Sequence, residues 1–239
     1  TKNKFLKNSY VEEHYEMLDQ SLLSDEKTQI FYEHPKKIIN EVKSPDIWSK
    51  YSMNPYQGCE HGCIYCYARN THEYWGYSAG LDFERKIIAK PNAASLMEKQ
   101  FMNKNWEVSP IMFSGNTDCY QPIERKLGIT RQMLEVLLKF RHPAGMITKN
   151  QLILRDIDLL QEMAKLKLVH VMISITSLKE ELRLKMEPRT ATARNRLKVI
   201  EELSKANIPT GVMTAPIIPG LNSDEIPNLI KAAADHGAR

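Results

Sequence analysis

Three cysteines within eight residues, Cys59, Cys63 and Cys66, lie in the run Gly58-Cys-Glu-His-Gly-Cys-Ile-Tyr-Cys-Tyr67. Their CxxxCxxC spacing supplies three soft thiolate donors and no local fourth, whereas a closed zinc site or a cluster that only passes electrons takes four ligands. A 4Fe-4S cube held at three corners keeps one iron open, and an open coordination position is where a ligand is bound and activated. The remaining thiol of the chain, Cys119, is distant in sequence. Counting therefore leaves two alternatives: zinc completed by Cys119 or His61, and unligated thiols.

The flanks narrow the choice. Asn54-Pro-Tyr-Gln-Gly-Cys-Glu-His-Gly-Cys-Ile-Tyr-Cys-Tyr-Ala-Arg69 resembles the cluster loop of the radical S-adenosylmethionine (SAM) superfamily, in which an aromatic residue commonly precedes the third cysteine, as Tyr65 does. More closely, the chain is similar to the branch related to spore photoproduct lyase and labelled DNA repair photolyase. The likeness is carried by His72-Glu-Tyr74, Gly80-Leu-Asp-Phe-Glu84, Ser114-Gly-Asn-Thr-Asp118, Tyr120-Gln-Pro-Ile-Glu124, Thr148-Lys149, Arg155-Asp-Ile-Asp158, Ser174-Ile-Thr176, Glu187-Pro-Arg189 and Ala215-Pro-Ile-Ile-Pro-Gly-Leu-Asn222.

The resemblance implies a 4Fe-4S cluster on Cys59, Cys63 and Cys66, with SAM bound at the open iron through its amino nitrogen and carboxylate oxygen. An electron from a reductant such as flavodoxin or ferredoxin would then cleave the sulfonium to methionine and a 5'-deoxyadenosyl radical, which takes a hydrogen atom from the substrate. The photolyase label implies a pyrimidine lesion swung out of a DNA stack. A small molecule, RNA or a protein side chain is the other expectation for the substrate.

Around such a cluster, a parallel α/β fold gathers its functional groups at the carboxyl ends of the strands. Ser114, Gly115, Asn116 and Asp118 form a small-residue turn. By resemblance it stands where a Gly-Gly-Glu type motif binds the SAM amino group; on residue types alone it is an ordinary turn capped by Asp118. Lys149 and Ser174 close two strands, and the resemblance suits them to the SAM carboxylate and ribose, a cation and a hydroxyl being apt partners for a carboxylate. Tyr65, Thr176 and Arg189 join them as polar cofactor contacts. Pro216 to Asn222 resembles the motif beside the adenine, with Ile217 as an apolar wall for the base.

Cys119 departs from the branch, in which proline more often follows the aspartate. A thiol there would return a hydrogen atom to a product radical; the alternative is a small buried residue. His61, His72, Tyr67 and Tyr74 read as loop-packing residues, and His142 before Pro143 as a helix-end residue.

The elements that must hold these groups alternate. Strands are expected at Trp48 to Met53, Ile111 to Ser114, Met146 to Thr148, Val169 to Ser174 and Thr210 to Ala215, with helices at Ala93 to Met102, Arg131 to Phe140, Ile157 to Leu166, Asn195 to Ala206 and Glu225 to Asp235. Met133, Val136, Leu137 and Phe140 share one helix face, and Ile226, Leu229, Ile230 and Ala233 another. Thr130 and Asp156 stand at N-cap positions. The expected fold class is α/β, a partial (β/α)6 TIM-like barrel. It lacks its last strand-helix unit, so the core over residues 47–239 is expected to be C-terminally truncated, behind an N-terminal extension of short helices and loops over residues 1–46.

At 239 residues, 42% hydrophobic and 26% charged, the chain has the composition of an ordinary single-core protein. No apolar run approaches the roughly 20 residues that span a bilayer, and the polar start is no secretory signal. A reducing, cytoplasmic location is expected. The net charge of +4 is too small to announce a nucleic acid partner. The densest basic stretch, Arg183 to Lys198, reads as a solvated helix face, with phosphate or carboxylate binding as the alternative.

Overall fold

Short β-branched and apolar runs punctuated by amphipathic helices dictate a strand-helix repeat, and the computed structural model, which describes residues 28–44 and 49–239, contains one. The strands are β1 (Gln29–Tyr32), β2 (Asn40–Glu41), β3 (Tyr51–Met53), β4 (Tyr56–Gln57), β5 (Lys86–Ala89), β6 (Ile111–Phe113), β7 (Ala144–Thr148), β8 (Val169–Ser174) and β9 (Thr210–Met213). The main sheet has the order β2-β3-β6-β7-β8-β9, and every neighbouring pair from β3 to β9 is parallel. Each crossover moves one strand along in the same direction. Right-handed connections then put every crossover helix on one face of the sheet.

The crossover helices are α1 (Ala93–Phe101), α2 (Ile129–Lys139), α3 (Ile157–Lys165) and α5 (Ala193–Lys205), with the short α4 (Glu180–Met186) between β8 and α5, and α6 (Ile226–Asp235) follows β9. All five expected helices exist, with ends displaced by two residues or fewer. The expected faces hold in part. Met133, Val136 and Leu137 are buried and Phe140 packs against the core, whereas Ile230 points to solvent while Leu229 and Ala233 are buried. Thr130 is not a cap: α2 starts two residues earlier than expected, at Ile129 behind Gly128 in left-handed backbone, and Thr130 turns its hydroxyl inward to the Cys119 carbonyl at 2.6 Å. Asp156 stands at the α3 N-cap but makes no cap bond, because Arg155 and Arg131 take its carboxylate.

The N-terminal expectation needs correcting. Residues 1–27 and 45–48, Trp48 included, lie outside the described residues, and the described stretch between them, 28–44, holds strand rather than helix. Segment β2 pairs antiparallel with β3, and β1 runs parallel to β5, which pairs antiparallel with β4. This second, three-stranded sheet matters for the site. The cysteine segment leaves it at β4 and returns at β5, so both ends of the loop are fixed to one small scaffold.

Candidate active site

Thiols that are to share one inorganic group need a rigid loop, and this loop is tied by its own backbone. Cys59 N–H donates to the Phe83 carbonyl at 2.8 Å, Ile64 N–H to Met186 at 3.0 Å and Cys66 N–H to Cys63 at 3.3 Å. The Arg69 guanidinium clasps the Cys63 carbonyl through Nε at 3.1 Å and Nη2 at 3.0 Å, and also pairs with Glu84. Gln121 brackets the first turn, donating to the Gly58 carbonyl at 3.0 Å and accepting from Glu60 N–H at 3.0 Å.

Burial holds the Cys59 thiol well above its ordinary pKa, with the Asp118 charge next in effect, and pushes Cys63 up to about 12 against the pull of Lys149. As bare thiols both are neutral, so thiolates here require a cationic partner. Among the described residues no three His, Cys, Asp or Glu side chains converge on one point that a single metal ion could fill. Three cysteine thiolates are a donor set that fits a 4Fe-4S cluster with one iron left open.

The second wall comes from the strand ends. Asn54, just after β3, accepts from Asn116 N–H at 3.2 Å and Thr117 N–H at 3.4 Å, which folds the turn after β6 against it; Ser114 adopts left-handed backbone to make that turn. Asp118 then accepts from Thr148 Oγ1 at 2.8 Å and from the N–H groups of Lys149 and Tyr120, each at 2.8 Å. The oxygen that takes the Lys149 N–H, Oδ2, also lies 3.4 Å from His61 Nδ1. Burial lowers the His61 pKa, against the pull of that carboxylate.

Between these walls lies a cavity of about 450 Å³ lined by all three loop cysteines, Tyr65, the turn from Ser114 to Asp118, Lys149 and Ser174. Ile147, Met213, Ala215 and Pro216 make one side apolar. Lys149 Nζ donates to Ser174 Oγ at 2.6 Å and lies 3.5 Å from Glu187, a carboxylate with no exposed surface. Burial alone would raise the Glu187 pKa; Lys149 and then Arg196, with the hydroxyls of Thr176 and Tyr65, bring it down to about 2.

Of the residues singled out in sequence, Cys59, Cys63, Cys66, Tyr65, Ser114, Gly115, Asn116, Asp118, Lys149 and Ser174 meet in this cavity. Four do not. Cys119 is fully buried in the hydrophobic core and its thiol is not part of the lining. Thr176 is turned away to bond Glu187. Arg189 grips the outside of the cysteine loop, pairing with Glu84 and donating to the Glu60 carbonyl. Ile217 is half exposed, and Met213, Ala215 and Pro216 take the apolar position expected of it.

His61 and Tyr67, read as loop packing, line the cavity instead, and the Tyr67 hydroxyl donates to the Gly115 carbonyl. His72 does pack the loop, whereas Tyr74 is exposed. His142 follows α2 and stacks on Phe101. The basic stretch is not a solvated face throughout, since Arg183 and Arg196 are buried among internal acceptors. Reasoning from sequence missed Glu187 as a site residue. Its only signal was its place in Glu-Pro-Arg, which carried the family likeness without suggesting that its carboxylate would be buried.

Comparison with known proteins adds three findings. Residues 53–233 match the model of the Radical SAM superfamily. The chain is 31% identical over 206 residues to an uncharacterized protein of Mycobacterium tuberculosis, covering 85% of this chain and 61% of that protein. It is also 29% identical over 195 residues to one of Methanocaldococcus jannaschii, covering 82% and 70%. The chain thus spans about three-fifths of the length of its mycobacterial relatives. Among solved structures it resembles spore photoproduct lyase complexed with dinucleoside spore photoproduct, with TM-score 0.66 and 16% identity, covering 87% of this chain and 57% of that one. A double mutant of that lyase with bound AdoMet and dinucleoside spore photoproduct matches equally well, at TM-score 0.66 and 16% identity.

Proposed function

Because this chain belongs to the radical SAM superfamily, we propose that Cys59, Cys63 and Cys66 hold a 4Fe-4S cluster and that the adjoining cavity binds SAM for radical catalysis. One observation carries the reading: the three thiols open into the same cavity as the Lys149–Ser174 pair and the turn at Gly115. When bound, the reduced cluster and SAM supply reductive cleavage to methionine and a 5'-deoxyadenosyl radical that abstracts hydrogen.

The chain's own groups bind and orient. Lys149, steadied by Ser174, offers a cation to the SAM carboxylate. The Gly115 carbonyl, at the cavity wall, would accept from the SAM amino group. Ile147, Met213, Ala215 and Pro216 give the adenosine an apolar surface and keep water from it. The substrate presents a C–H bond at the mouth of the cavity; the fold shared with spore photoproduct lyase puts a DNA photolesion first in order of testing. The donor of the electron is a low-potential carrier such as flavodoxin or ferredoxin, in a reducing cytoplasm. Among the described residues no helix is long and apolar enough to cross a membrane.

The test is anaerobic reconstitution with iron and sulfide, reduction with dithionite in the presence of SAM, and chromatographic assay of 5'-deoxyadenosine. The expected result is about four irons per chain and product formation that disappears in Cys66→Ala. A zinc-loaded protein that takes up no iron, or a full cluster that never yields 5'-deoxyadenosine, overturns the reading.

A further inference from the structure

Glu187 sits between two cations but does not divide itself equally. Its Oε2 is 2.5 Å from Arg196 Nη2, whereas its Oε1 stands 3.5 Å from Lys149 Nζ and accepts from Tyr65 and Thr176 instead. Arg196 is 1% exposed, and its other N–H groups go to the Ser174 carbonyl, the Ala191 carbonyl and Thr190 Oγ1, each at 2.7 Å. It faces no cavity and has nothing to offer a ligand directly. Lys149 does line the cavity, and its Nζ is held by Ser174, by the longer contact to Glu187 and by the face of the Tyr65 ring, 5.7 Å from its centroid.

Two cations and one carboxylate leave a single positive charge, and the geometry decides where that charge is presented. In a poorly screened interior a carboxylate with no other cation would close on Lys149 and cancel it. We infer that Arg196 is a positioning residue that draws Glu187 onto itself, so that Lys149 keeps its charge for the carboxylate of the bound ligand. Arg196 also braces the backbone of Ser174, whose hydroxyl aims Lys149 into the cavity. The inference rests on the proposal that Lys149 receives the SAM carboxylate.

The experiment is equilibrium binding of SAM and of decarboxylated SAM to the reconstituted holoprotein, with iron content checked for every variant. The ratio of the two affinities isolates carboxylate recognition from general damage to the site. Lys149→Met should lower the wild-type preference for SAM at least tenfold; an unchanged ratio means that Lys149 is not the carboxylate site, and the proposal on which the inference rests fails. Given that loss, Arg196→Met should lower the ratio comparably, and Glu187→Gln added to it should restore most of the preference. An Arg196→Met ratio equal to wild type overturns the inference alone. Should Arg196→Met fail to fold, Glu187→Gln by itself decides: with the carboxylate already drawn onto Arg196, its removal at nearly constant shape should leave the preference near the wild-type value, whereas a several-fold rise would show that Glu187 competes for Lys149 in the wild type and overturns the inference.

Discussion

The Arg189 guanidinium lies across the backbone of Gly62: a Cβ built on that glycine would stand 2.3 Å from Arg189 Nη2. Gly62 also has φ +67°, a conformation that costs an L-residue about 1–2 kcal/mol. Gly62→Ala therefore strains the cysteine loop and pushes Arg189 off Glu84 and the Glu60 carbonyl. The expected outcome is a loss of reconstituted iron, with secondary structure by circular dichroism retained. Full iron loading with an unchanged melting temperature would show that the loop does not need this approach.

Cys119 packs in the core while Cys59, Cys63 and Cys66 share the cavity. Cys119→Ala should retain a full cluster and 5'-deoxyadenosine formation, at a stability cost of about 1–2 kcal/mol for the lost volume. Cys63→Ala should lose the cluster. Metal analysis of the two variants side by side checks both, and cluster loss in Cys119→Ala would restore Cys119 as a ligand.

His72 has no exposed surface, stacks edge-on to Phe83 at 5.5 Å and places Nε2 3.0 Å from the Lys86 carbonyl. Burial lowers its pKa from 6.5 to about 4, so the folded protein resists its protonation. The sign follows directly. Above about pH 6.5 the group is neutral folded or unfolded and costs nothing, and as the pH falls toward 4 the unfolded chain binds the proton first and stability is lost, levelling below 4. The loss amounts to about 2–4 kcal/mol. Urea midpoints measured from pH 7.5 to pH 4 should decline, and His72→Phe should flatten that part of the curve. A decline of the same size in the variant would assign it to other groups.

Arg155 bridges two carboxylates that have no exposed surface, reaching Glu124 at 2.7 Å and Asp156 at 2.7 Å. Glu124 also accepts from Thr130 N–H at 3.0 Å and from Tyr56, two residues before the loop glycine Gly58. Arg155→Met takes the paired cation from Glu124 and leaves Asp156 with Arg131 alone, and removing one partner of a buried pair costs about 3–5 kcal/mol. A fall of that order in urea-derived stability is expected; a change under about 0.5 kcal/mol would place Arg155 among surface substitutions.

Local chemistry determined much of this protein before any coordinates. Three thiols at CxxxCxxC spacing define a loop whatever surrounds it, and helices such as Ile129–Lys139 follow from apolar residues repeating along a few turns of chain. The five parallel strands were legible because each is a short apolar run between such helices. The strands β1, β2, β4 and β5 were not, since their stability lies in partners far along the chain: Ile30 beside Ile87, Asn40 beside Ser52. The same division runs through the site. Lys149 and Ser174 end strands, a position readable from sequence, and both reach the cavity. Whether a polar residue beyond a strand end faces a ligand, a salt bridge or the core depends on side-chain direction and on charges that only tertiary contact brings near. That is why Arg189 became a clamp, Cys119 a core residue and Glu187, with Arg196 beside it, the charge that sets what Lys149 can offer.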